Sequence, residues 1–266
     1  MDFITILLTA CTLCFAAVIQ SAVGFAFALF STPVLIWIGI PLHKVIVIVA
    51  AGSMMQSFAG VRKLKAFIPW KDAIISTALR VIWLFAGLFI LKHLVGLEAR
   101  YIKLAVGSVL CLLVLIQYFW RPKPAETIHW IFSFIAFSLS GLLAGIAGMG
   151  GPPLVLWTMA HNWPPERTRG FFFATFLTFI PLQLMLLCLL PGIEPLWTTL
   201  LAGFAFAPVV VIGSSIGLAL GRRMSRQRLY SVTCICLLLM GTVAIVSSLF
   251  TASKHNGAAG ISAETE

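Results

Sequence analysis

Gly141-Leu142-Leu143-Ala144-Gly145-Ile146-Ala147-Gly148-Met149-Gly150-Gly151-Pro152-Pro153-Leu154-Val155-Leu156-Trp157 sets five glycines and two prolines inside an apolar run. In water such a stretch reads as a loop. Its flanks here are hydrophobic and helix-forming on both sides, which predicts a broken helix inside a membrane. Irregular backbone at that depth survives only where protein buries it or where it lines a water-filled cavity, so the break is a candidate binding site. The glycines from Gly148 to Gly151 put no side chain in a ligand's way. Pro152 and Pro153 suit the first turn of a new helix, where the N–H that proline lacks would be unpaired anyway. The positive end of that helix points at whatever fills the break and favours an anion.

Composition agrees with the membrane reading. The chain has 266 residues, of which 61% are hydrophobic and 10% charged, and its mean hydropathy is +1.06. These values belong to polytopic membrane proteins. All eight acidic residues lie at the termini or in polar connections. An apolar span without a carboxylate argues against a cation carrier and against a buried acidic proton relay. The net charge of +10 sits mostly in loops and reads as an orientation signal rather than as nucleic-acid binding. Cys11, Cys14, Cys111, Cys188, Cys234 and Cys236 all fall in apolar segments and are expected to pack as small hydrophobes, with a metal or redox pair at Cys11 and Cys14 as the lesser alternative. No basic leader precedes the first apolar run, so no cleaved signal peptide is expected.

Outward from the break, the chain divides into about eight to ten membrane segments. The expected spans are 4–20, 28–38 (a half-length helix), 44–60, 73–91, 102–120, 130–146 with its partner 154–160, 170–190, 196–220 and 229–250. A second break is expected where Ser21, Gly24, Ser31, Thr32 and Pro33 interrupt the first apolar stretch. The two breaks occupy matching places in an internal repeat that also pairs Gln56 with Gln183, Trp70 with Trp197 and Tyr101 with Tyr230. The expectation is therefore an all-α polytopic membrane protein of two four-segment repeats, residues 1–121 and 128–250, each opening with a broken or re-entrant helix. Residues 122–127 form the linker, and the small, polar 251–266 is expected to be a disordered tail. Placing the basic loops 61–71 and 221–228 on one side of the membrane makes the repeats inverted.

Several side chains within the spans carry candidate chemistry. Arg80 lies a third to half of the way into its span, a depth at which arginine faces a cavity or a partner unless it snorkels to the interface. Its planar fork suits a sulfonate or carboxylate. Gln20, Gln56 and Gln183 can donate to anionic oxygens or join helices to one another. Ser31 and Thr32 offer hydroxyls to a ligand or to freed backbone carbonyls, and Phe25 can close the site. Histidines sit at span ends, and no Ser/His/Asp, Cys/His or His/Glu constellation falls within the spans, so an enzyme is not expected.

Gln20-Ser21-Ala22-Val23-Gly24-Phe25-Ala26-Phe27-Ala28-Leu29 in the first half, and Gly148-Met149-Gly150-Gly151-Pro152-Pro153-Leu154-Val155-Leu156 with Arg169 downstream in the second, resemble the TauE/SafE family of membrane permeases. The resemblance covers nearly the whole chain and departs from the family at Ala26, where a glycine usually follows the Gly-Phe pair. It implies a secondary transporter, an exporter of a small sulfur-containing anion such as sulfoacetate or sulfite, working by alternating access around the two breaks. Taken with the side chains above, the candidate substrate site comprises Gln20, Gly24, Phe25, Ser31, Thr32, Gln56, Arg80, Gly148, Met149, Gly150, Gly151, Pro152, Arg169 and Gln183. The alternative is an anion or solute channel on the same scaffold. No cofactor, metal or nucleic acid is called for. The partners are the anion and the lipid bilayer, with a homodimer left open, and the expected place is the cell inner membrane or plasma membrane.

Overall fold

The computed structural model describes residues 2–94, 108, 111, 112, 115, 128–189 and 196–223. The predicted span 229–250, most of 102–120, the linker, the tail and the Tyr101–Tyr230 pair lie outside them. Helices make up the described part, in keeping with an all-helical membrane fold. Five are long and apolar enough to cross a membrane, or six if one bent pair counts as a single span.

Helix α1 (Phe3–Val23) ends at Gly24, whose φ of 105° suits glycine, and Ala26 follows with φ 93°. Helix α2 (Phe27–Trp37) then turns back along α1, bringing the rings of Phe15 and Phe30 to 5.0 Å. Helix α3 (Leu42–Leu64) runs into a 3-10 turn (Lys65–Phe67), and α4 (Trp70–Leu94) returns. The second half repeats the order. Helix α5 (Trp130–Ala147) ends at Gly148 with φ 71°, and α6 (Gly151–Met159) turns back along it, with Phe137 and Trp157 at 5.0 Å and Trp157 Nε1 donating to Ser133 Oγ at 2.8 Å. Helices α7 (Pro165–Cys188), α8 (Trp197–Ala205) and α9 (Ala207–Arg223) follow.

Three local expectations need correction. Helix α6 begins at Gly151 rather than at residue 154, because both prolines fit its first turn. Helix α7 begins at Pro165 rather than at 170, which puts Arg169 in its second turn. The expected span 196–220 is two helices bent by 46°. Pro208, near the start of α9, lacks the N–H that would continue α8, and its ring collides with the carbonyl four residues back. The cysteines also differ from expectation: Cys11 is exposed on the outside of the bundle rather than packed within it.

Glycines set how closely the helices pack. Gly213, Gly217 and Gly221 of α9 are spaced by four and rest on the α1 backbone at Cys14, Val18 and Ala22; a methyl on Gly221 would stand 2.8 Å from the Ala22 carbonyl. In the same way Gly141 of α5 lies on the Arg80 backbone, and a methyl on Gly145 would stand 2.7 Å from Gly87 Cα. Within lipid no hydrophobic gain drives helices together, so such close backbone approach is what joins them. Helix α1 thus packs lengthwise and parallel against α9, and α5 against α4. Helix α3 crosses α7 antiparallel, with Gly60 against the ring of Phe173. Helices α1, α3 and α9 run one way along the bundle and α4, α5 and α7 the other, so the hairpins α1–α2 and α5–α6 open toward opposite ends.

Candidate functional site

Two helix starts meet inside this bundle. Ala26 to Leu29 at the head of α2, and Gly148, Gly150 and Gly151 at the head of α6, face one cavity of about 40 Å³. Helices α3, α4 and α7 complete its wall through Ile46, Val49, Ala50, Ser53, Arg80, Phe176, Phe179, Ile180 and Gln183. A single water needs roughly 10–15 Å³ of such space, so the cavity suits a small ion. The first N–H groups of a helix have no partner within it; at α2 that of Phe27 is taken by Gln20 and at α6 Pro152 and Pro153 have none, so what both starts bring to this wall is chiefly a positive dipole end.

Arg80 supplies the charge. Its side chain is only 1% exposed and so does not snorkel to the surface. The guanidinium stacks on Phe179, with Cζ 3.7 Å from the ring centroid, and lies 5.7 Å from that of Phe176. Neither Nε nor Nη1 finds a hydrogen-bond partner among the described residues, and none of the described residues lining the cavity carries a carboxylate. Gly150 is tied to this arrangement: a methyl there would come within 2.6 Å of the Ser140 carbonyl and 3.0 Å of Arg80 Nη2. Ser140 Oγ donates to the Gly150 carbonyl and holds the second break shut against α5.

The three glutamines serve different ends. Gln20 Oε1 accepts from the Phe27 N–H at 3.0 Å and so caps α2. The N–H fixes the oxygen end of that amide, which leaves Nε2 of this cavity-lining side chain buried and without a partner among the described residues. Gln183 also lines the cavity and donates to the Ala144 carbonyl at 2.8 Å. Gln56 donates to the Ala17 carbonyl at 3.0 Å and to Ser21 Oγ at 2.6 Å, and Ser21 reaches Ser214 Oγ at 2.8 Å. This network joins α1, α3 and α9 away from the cavity. Gln56 and Gln183 each reach a carbonyl 39 residues upstream, in the first helix of their own half.

Of the residues singled out in the sequence, Gln20, Arg80, Gly148, Gly150, Gly151 and Gln183 come together on the cavity wall, and the others stand apart. Gly24 faces α7, where a methyl would be 3.2 Å from Arg169 Cγ. Phe25 packs near Phe172 at 6.1 Å. Met149, Pro152, Ser31 and Thr32 are buried off the wall. Arg169 lies toward the basic end, its Nε 3.4 Å from the Pro165 carbonyl and its Nη2 3.5 Å from Glu166 Oε1. Phe176, Phe179 and Ser53 line the cavity without having been singled out. Their signal was helical spacing, since Phe176 and Phe179 precede Gln183 on one face of α7. Toward the basic end, beyond the contact of Gly60 with Phe173, an open depression is lined by Phe67, Ile68, Pro69, Pro164 and Arg167.

A family model described as Sulfite exporter TauE/SafE matches residues 9–244. No curated protein and no solved structure matches the chain.

Proposed function

Because the chain belongs to the sulfite exporter TauE/SafE family of membrane transporters, we propose that it is a secondary transporter that exports a small sulfur-containing anion such as sulfite or sulfoacetate. The anion binds between the heads of α2 and α6. The observation that carries this reading is Arg80, a buried cation facing a cavity with unpartnered donors and no carboxylate in the wall. An anion supplies the missing counter-charge, and an apolar surround strengthens the attraction. Transport follows by alternating access, with the two oppositely directed hairpins rocking around a fixed site. The opposite run of the halves and the matching bonds of Gln56 and Gln183 support descent from one duplicated unit.

A carrier is favoured over a channel because nearly every wall residue is buried, which suits a site that closes over its cargo. Protein reconstituted in liposomes should show saturable sulfite or sulfoacetate flux accelerated by the same anion on the far side. Conduction without saturation or counterflow would establish the channel instead. In a binding panel of sulfite, sulfoacetate, taurine, sulfate, thiosulfate and acetate, failure of every anion alongside binding of a cation or sugar would defeat the anion reading.

A further inference from the structure

We propose that the site is built for a doubly charged anion without hydrogen-bond donors, such as the sulfite dianion or a carboxylated sulfonate, and that it discriminates against monoanions and zwitterions. The inference rests on the transport reading above and narrows its substrate class. Its first ground is a charge count. Arg80 contributes one positive charge, and the starts of α2 and α6 each contribute at most about half a charge, so between one and about two positive charges meet in one small space. No carboxylate in the described wall offsets them.

The second ground is the sign of the hydrogen bonds left unmade. Each buried side-chain atom of the wall without a partner is a donor: Nε and Nη1 of Arg80 and Nε2 of Gln20. A bisulfite proton or an ammonium group turned toward these atoms would point a donor at donors and leave both sides unsatisfied, at the full desolvation penalty. An ammonium would also stand beside Arg80 without an acid to neutralise it. A fully ionised oxyanion presents acceptors only.

The wall holds a single ionisable group. Among the described residues that line it, α4 contributes Arg80, while α1, α2, α3, α5, α6 and α7 contribute no acid, histidine or lysine. With Arg80 protonated, the pH dependence of binding therefore belongs to the ligand.

Binding to purified full-length protein in detergent tests the proposal, with sulfite titrated at pH values spanning its second ionisation. The sulfite Kd should fall about tenfold per pH unit below that ionisation and level off above it, as one-proton linkage requires. Sulfoacetate, a dianion throughout, should bind independently of pH. Methanesulfonate and taurine should bind at least about tenfold more weakly than sulfoacetate, a gap of about 1.4 kcal/mol. In Arg80→Gln the ratio of sulfoacetate to methanesulfonate affinity should fall toward one, because the site has lost one of its charges. Sulfite binding that ignores pH, or methanesulfonate or taurine bound as tightly as sulfoacetate, overturns the dianion proposal and leaves anion transport standing. Folded wild-type protein that binds none of the anions overturns both.

Discussion

Arg80 and Ala26 are the two residues where local rules are broken, and both lie on the cavity. A buried guanidinium without a counter-charge is unfavourable in the empty protein, although stacking on Phe179 recovers part of the cost. Arg80→Gln should therefore weaken substrate binding about ten- to a hundredfold, since a hydrogen bond to a charged group contributes roughly 1.5 to 3 kcal/mol. The same change should leave the empty protein at least as resistant to heat as the wild type. Arg80→Lys keeps the charge without the fork and should fall between. Calorimetric titration and a melting scan on the same sample read both effects, and a variant that melts early while binding normally would make Arg80 a structural residue. Ala26 is the only described residue other than glycine with positive φ, at 93°. Such a conformation costs on the order of 1–3 kcal/mol for a residue with a Cβ, more than glycine's added freedom in the unfolded chain. Ala26→Gly should raise the melting temperature, and a lower one would show that the alanine methyl packs to advantage.

At the scale of elements, each hairpin is a long helix, a glycine stop and a short helix folded back, and the two glycine-rich turns differ in what they tolerate. A methyl on Gly151 meets nothing closer than Leu29 Cδ1 at 3.9 Å, whereas one on Gly150 runs into the Ser140 carbonyl at 2.6 Å. Gly151→Ala should thus insert and fold normally yet lose affinity by narrowing the cavity, while Gly150→Ala should lose folded protein. Size-exclusion profiles with binding assays on both variants separate these outcomes, and unchanged flux in Gly151→Ala would remove that residue from the ligand space. The breaks were legible because glycine and proline interrupt apolar runs that nothing else disturbs, and Arg80 because a lone cation at that depth needs a reason. The contact of α3 with α7 was not legible: Phe173, Phe176 and Phe179 look like any lipid-facing phenylalanines until Gly60 and Arg80 are brought against them from other helices. Gln56 was misleading for a related reason. Its amide resembles that of Gln20 in sequence, but only the bond to the Ala17 carbonyl shows that it joins helices instead of facing the cavity. The bend before α9 had a signal in Pro208, which a long apolar average conceals.

For the molecule as a whole, the proposed inverted repeat has a charge pattern to match, since the basic residues gather at one end. Arg62, Lys63, Lys65, Lys71, Arg167 and Arg169 lie where α1, α3 and α9 finish and α4 and α7 begin, while Lys44 and Lys92 lie at the other. The positive-inside rule assigns the richer end to the cytoplasm. In a cysteine-free background, cysteines replacing Lys63 at the end of α3 and Arg167 at the start of α7 should both be labelled from the cytoplasmic side and one replacing Lys92 from outside; labelling of Lys63 and Arg167 from opposite sides would refute the opposed halves. The meeting of the two short-helix starts with Arg80 has one more consequence, and it concerns how the protein keeps in solution. Like charges facing one another across a small space push the hairpins apart, so the cargo acts as a keystone for the empty arch. A ligand at a hundred times its Kd should add about 2.7 kcal/mol to the folded state, and protein stripped of anions in dilute, weakly coordinating buffer should be its most fragile form. Purification with sulfite or sulfoacetate present throughout should then yield protein that melts several degrees higher and aggregates more slowly than the same protein dialysed free of it.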